Sequence, residues 1–283
     1  MNKNSTKYQV ESSPAIKAST ASYDENYILS KAGILNVYGN CTIEEIEKAT
    51  RQQPDCGITL IQFARRFKVE EELLIMLNGS VIKAFPNCSL AVSLNGYGAF
   101  DDLGFLEYLT DVSDLRISGF GEVDLEPINK YCRLKHLAIG GNNCRIEQIT
   151  NHDSIESLFI FEKIKDIELI GRMKPLKKLT ISKMTLKNLD FLKDLIALKE
   201  LHFVLGGTKN LEALPAIGRI ELLSFAAVKQ LRMEHLKPIN EMSSLKKIKF
   251  DRLPHLLNLN WLNHKDVEIV VTHCKNYRKD LSR

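Results

Sequence analysis

The chain has no long apolar run. Nothing in its 283 residues approaches the roughly 18 consecutive apolar residues that a membrane helix needs. The first twenty residues, MNKNSTKYQVESSPAIKAST, have no apolar h-region, which argues against a secretory signal peptide. Charge of one sign is scarce too. Lys plus Arg is 39 against 35 Asp plus Glu, a formal charge of +4, so the composition does not announce a general nucleic-acid binder. The six cysteines (Cys41, Cys56, Cys88, Cys132, Cys144, Cys274) form no CxxC pair and read as reduced thiols, which places the protein in the cytosol. No glycine cluster has GxGxxG or GxxxxGK spacing, so phosphate-cradling loops are absent from the pattern.

What the chain does have is self-similarity. VSDLRI (112–117), LKHLAI (134–139), IESLFI (155–160), LKKLTI (176–181), LKELHF (198–203), IELLSF (220–225) and LKKIKF (245–250) all carry apolar residues at positions one, four and six. Their starts are 22, 21, 21, 22, 22 and 25 residues apart. SLAVSL (89–94) is a degenerate earlier copy, and DVEIVV (266–271) reads as a closing strand. Positions four and six are two apart, so both point to one face of an extended strand while the fifth points away. The remaining residues of each unit carry the chain round to lay the next strand alongside, enclosing an apolar interior that no single unit could close. The return segments bring their own inward groups: Ile146 and Ile149; Ile164, Ile167 and Leu169; Leu186, Leu189 and Leu192; Leu211, Leu214 and Ile217; Leu231, Leu236 and Ile239. Residues 189–197 and 234–242 resemble short helical or 3₁₀ turns.

Residues 112–250, extending to 89–271, resemble a leucine-rich-repeat protein of the short-repeat type, with Leu176, Leu179, Ile181, Leu186, Leu189 and Leu192 fitting best. The resemblance implies an α/β solenoid with a parallel sheet on the concave side and short helical, 3₁₀ or irregular convex segments. One departure stands out. Where the family places Asn or Cys three residues after position six, this chain has Phe120, Asn142, Lys163, Met184, Gly206, Val228 and Leu253.

The flanks divide into a disordered tail (1–24), an N-terminal cap or small α/β domain (25–88) and a basic C-terminal tail (272–283). ILNVYG (34–39) reads as a strand. Thr42 to Glu45 has capping-box spacing before a helix over 43–52, and residues 58–77 hold two further elements.

Candidate chemistry is thin. Cys132, His136, Cys144 and His152 could suggest zinc, but Cys132 lies in a return segment and His136 on the strand face. His273-Cys274 lacks an orienting acid in a recognisable frame. The glycines at 119, 121, 140, 141, 206 and 207 read as turn residues of positive φ. No catalytic residue, metal or cofactor is expected.

The informative surface is the outward face of the strands. It offers Arg116, Lys135, His136, Lys177, Lys178, Lys199, His202, Lys246, Lys247 and Lys249 around an apolar middle of Phe159, Phe161, Val204 and Leu222. Over the seven motifs, eight Lys or Arg face four Asp or Glu, and seven strands span roughly 30 Å. An apolar centre with a charged surround is how binding hot spots are arranged. The expected function is therefore a non-enzymatic module that binds another protein with an acidic surface. The resemblance allows a bacterial immunity protein, regulator or scaffold. Alternatives are a secreted effector, an enzyme with its site in residues 25–100, or a polyanion binder; oligomeric state is open.

Overall fold

The computed structural model describes residues 28–39, 41–63, 67–94, 100–119, 122–140, 143–264 and 266–278. The expected disordered tail, Phe120, Gly121, Gly141, Asn142 and the last five residues lie outside them.

Each motif becomes one strand. The strands are β1 (Ile34–Val37), β2 (Leu60–Phe63), β3 (Ser89–Leu94), β4 (Asp114–Gly119), β5 (Glu122–Val123), β6 (His136–Gly140) and β7 (Asn143–Cys144). They continue with β8 (Ser157–Ile160), β9 (Lys178–Ser182), β10 (Glu200–Val204), β11 (Leu222–Ala226), β12 (Lys247–Asp251) and β13 (Glu268–Thr272). All but β5 and β7 form a single sheet in chain order; those two pair with each other. Every pairing in both sheets is parallel. The register sets position four of each motif beside position four of the next, as Leu115–Leu137–Leu158–Leu179–Leu201–Leu223–Ile248. Those seven are at most 2% exposed, and the position-six row (Ile117, Ile139, Ile160, Ile181, Phe203, Phe225, Phe250) at most 1%.

The sheet begins well before residue 89. β1 and β2, within the segment expected as a cap or small domain, hydrogen-bond into it and bury Leu35, Val37, Ile61 and Phe63 at the same two positions. Repeat length explains their different convex sides. The steps from β1 to β2 and from β2 to β3 are 26 and 29 residues, long enough for α1 (Ile43–Arg51) and α2 (Glu71–Met76). Thr42 caps α1: its Oγ1 accepts from the Glu45 N–H at 3.2 Å, while Glu45 Oε2 accepts from the Thr42 N–H at 2.8 Å. From β4 to β11 the step is 21 or 22 residues, and the described returns hold no α-helix: they carry 3₁₀ turns such as Ile167–Arg172 and Asp190–Leu192, with the two-residue strands β5 and β7 in the first two. The segment expected at 234–242 is a 3₁₀ helix, Met233–Glu241.

The inward groups fall as the pattern requires, with one exception. Leu169 is half-buried, and Ile170 takes the interior place at 0% exposure, because the 3₁₀ helix Ile167–Arg172 brings residues three apart onto one face. Phe203, Phe225 and Phe250 stack down the interior at 5.5 and 6.1 Å, and Trp261 closes the row edge-on at 6.3 Å.

The turns correct the glycine expectation. Of the glycines named there, Gly207 has positive φ (126°), whereas Gly206 does not and Gly119 and Gly140 end strands β4 and β6. The left-handed residues that leave β9 to β13 are instead Lys183, Leu205, Ala227, Arg252 and His273, all at φ between 51° and 57°. The first four each donate their N–H to the neighbouring strand, as Lys183 N to Val204 O at 2.9 Å, so the ladder holds a conformation that L-residues disfavour. Of the described positions in the missing Asn column, Met184, Val228 and Leu253 are buried, Gly206 is half-buried and Lys163 is exposed. Cys274, at the same place after β13, is half-buried, and its Sγ accepts from the Leu253 N–H at 3.3 Å.

Candidate concave-face binding site

Eleven strands at about 4.8 Å give the outward face a length of about 48 Å, against the 30 Å of seven. At its middle, Phe159 and Phe161 meet edge-to-face with centroids 5.8 Å apart, and both are half-buried. Their seat is made by small residues on the preceding strand. Phe159 is registered beside Ala138, and a Cβ added to Gly140 would lie 2.0 Å from the Phe161 ring. Val204 and Leu222 are half-exposed nearby in the same sheet, and Leu205 is 53% exposed.

The lysines surround this centre but are not bare. Glu156 accepts from Lys135 at 3.0 Å and from Lys177 at 2.8 Å. Glu221 repeats the arrangement with Lys246 at 2.7 Å and Lys199 at 3.7 Å. Lys178 pairs with Glu200 at 3.0 Å, and Lys247 with Glu268 of β13 at 2.8 Å. Arg116 donates to Ser89 Oγ at 2.8 Å and lies 3.6 Å from Asp114. Among the described residues, Lys249 alone of the seven lysines has no carboxylate within ion-pair distance. His136 is exposed; the His202 side chain is 17% exposed and its Nε2 lies 3.3 Å from Glu200 Oε2.

These contacts fix the carboxylates as anions. Hydrogen bonds from Lys177 and Lys135 hold Glu156 down at about 2. Glu200 is held at about 2 by the His202 hydrogen bond first and by Lys178 next. Sequence reasoning placed the lysines on one face but missed this pairing, because Glu268 lay beyond the seven motifs and partners sit 21 to 25 residues apart.

The other candidates separate. Cys144 is fully buried and the buried His152 ring bonds Ile128 O at 3.2 Å, while Cys132 and His136 are exposed. Cys132 and His152 do line one convex cleft of about 440 Å³ with Glu126, Glu147 and Asp153. Among the described residues no group of three or more His, Cys, Asp or Glu could hold a metal ion. His273 has an orienting acid after all, Asp251 Oδ1 at 2.9 Å from Nδ1, which the sequence frame did not reveal. The Cys274 thiol is engaged by the Leu253 N–H and Phe250 O instead, and burial pushes its pKa up. Burial likewise pushes Cys88 and Cys144 up to about 11.

One parallel strand per repeat of 21 to 29 residues, with positions four and six lining a continuous interior, defines a leucine-rich-repeat solenoid. No family model matches the chain, and no curated protein matches it. Among solved structures it is similar to an internalin (InlF) of Listeria monocytogenes, at 16% identity and a TM-score of 0.46, over 89% of this chain and 87% of that one. It is similar to internalin C2 of the same organism at 16% identity and a TM-score of 0.46, over 78% and 84%. The functional domain of InlJ from Listeria monocytogenes, which includes a cysteine ladder, aligns at 11% identity and 0.40, over 87% and 54%. Among the described residues no helix is long and apolar enough to cross a membrane.

Proposed function

We propose that the concave face binds another protein, which docks an apolar group on Phe159 and Phe161 and sets acidic side chains against the flanking cations. The observation that carries this reading is the aromatic pair itself: two half-exposed rings held edge-to-face over Ala138 and Gly140 at the centre of a preformed sheet. A rigid sheet loses little conformational entropy on docking, and a desolvated aromatic centre is where binding energy concentrates. We infer that β1 and β2 extend the same face, making residues 34–88 two longer repeats of one solenoid.

The ion pairs refine the partner's chemistry. Six of the seven lysines already face a carboxylate, so the surface offers alternating charge rather than a cationic sheet. Counterion release, the main source of polyanion affinity, draws on unpaired cations, and a nucleic acid is the weaker ligand here. A protein with its own alternating charges matches the face better. Whether the role is that of an immunity protein, regulator, scaffold or delivered effector follows from the partner's identity.

The test uses the tagged chain as bait beside two variants. Phe159→Ala/Phe161→Ala loses a stoichiometric protein that the parent retains, and Lys249→Glu slows its association without changing Tm. Lys178 and Lys247 are poorer probes, since reversal would set a carboxylate against Glu200 or Glu268 and perturb the fold itself. Retention of the same partner by the aromatic double variant removes the concave face from consideration.

A further inference from the structure

The two ends of the solenoid are built differently. At the N-terminal end, residues 28–30 lie along β1: Ser30 N donates to Ile34 O at 3.0 Å, Asn36 N to Ile28 O at 2.6 Å, and Leu29 bridges Leu35 antiparallel. At the C-terminal end β13 is the last strand, and no described strand lies beyond it. Its core positions show the consequence. Ile269 and Val271 occupy the places that are at most 9% exposed in every other repeat, yet both are only half-buried, and Leu257 nearby in the chain is 47% exposed.

The edge of β13 presents a definite pattern. Glu268 N donates to Lys246 O at 2.8 Å and Thr272 O accepts from Arg252 N at 3.0 Å, so Glu268, Val270 and Thr272 turn their backbone groups toward β12. The alternation of a parallel ladder then turns the N–H and C=O of Ile269 and Val271 outward. The strand is also polar in charge: Asp266 and Glu268 stand at its start, His273 and Lys275 just past its end, all exposed.

We propose that β13 pairs antiparallel with β13 of a second copy of this chain, about a two-fold axis through Val270. In that register Ile269 and the second copy's Val271 form the closely hydrogen-bonded pair, and the two-fold repeats it, giving four backbone bonds. Glu268 opposes Thr272, so no like charges meet. The acidic start of each strand lies beside the basic end of the other, a match that a parallel neighbour of the same sequence would lack. The half-buried Ile269, Val271 and Trp261 complete their burial against the same groups of the second copy.

The register makes a sharp prediction. Val270 sits on the axis in a pair without hydrogen bonds, whose Cα atoms come within about 4.5 Å, inside the disulfide range. The 283-residue chain carrying Val270→Cys, with exposed Cys56 and Cys132 changed to Ser, should cross-link to a dimer under oxidised glutathione, while Glu268→Cys in the same background stays monomeric. In parallel, sedimentation of the unmodified chain should show mass rising from one to two copies with concentration. Val271→Pro removes one outward N–H per copy and leaves the β12 bonds intact; it should weaken dimerisation about tenfold or more while the far-ultraviolet circular dichroism stays that of the parent. A monomer at all concentrations overturns the proposal, as does equal cross-linking at 268 and 270. In a monomer, slow hydrogen exchange at Ile269 and Val271 would assign the edge to another part of this chain, and fast exchange would leave it open; either excludes the second copy.

Discussion

At the scale of single residues, burial separates side chains that adjoin each other in sequence. Leu179 is 0% exposed and Lys178 is exposed, one residue apart on one strand. Leu179→Ala should cost about 2–5 kcal/mol in urea denaturation, as an interior truncation with residual cavity. Glu156 gives a pH signature. Its carboxyl is held at about 2 against an ordinary 4.5, so the stability it contributes is complete above about pH 5 and is lost as pH falls through 2. The stability gap between the parent and Glu156→Gln should be widest at neutral pH, close toward pH 2 and shrink in high salt. Leu205 joins two penalties, a left-handed φ of 57° and 53% exposure. Releasing an L-residue from that conformation gains about 1–2 kcal/mol, against about 0.5–1 for the added freedom of the unfolded glycine chain. Leu205→Gly should therefore leave Tm unchanged or slightly raised by calorimetry, where Leu201→Gly on the strand just before it should unfold the repeat.

At the scale of elements, the strand pair β6–β8 builds the centre of the face. Gly140 gives Phe161 its seat, because any Cβ there would lie 2.0 Å from the ring. Gly140→Ala should tilt Phe161 off the sheet and weaken partner capture while the far-ultraviolet circular dichroism stays that of the parent; undiminished capture would show that the seat is dispensable. The convex elements follow repeat length: 26 and 29 residues admit helices, while 21 or 22 leave room for 3₁₀ turns and, in two returns, the two-residue strands β5 and β7. For the same reason β1 and β2 escape a search at a period of 21 to 25, although ILNV and LIQF carry the same two inward positions. The strands 112–250 were legible since each repeats an alternation that a strand needs locally.

At the scale of the whole molecule, each repeat touches only its neighbours, so stability is a sum of units and interfaces. Among the described residues the central strands have a strand on both sides, and β13 on one. Native-state hydrogen exchange should accordingly be graded, slowest through β9 to β11 and fastest at β13, unless a second copy covers that edge. Uniform protection along the sheet in a monomer would contradict a solenoid whose C-terminal layer is open.

The repeat, the parallel sheet, the apolar interior and the side of each strand that faces out could all be read along the chain, because period and alternation are properties of neighbouring residues. What the outward residues do to each other is set by the folded sheet. Glu156 lies 21 residues from both Lys135 and Lys177, and Phe161 likewise from Gly140; their meeting depends on strand register and on the reach of each side chain. The same holds for the open edge at β13. The sequence reads 266–271 as the closing strand, but whether its outer edge is covered depends on what packs beside it, and no alternation of residues within that strand encodes the answer.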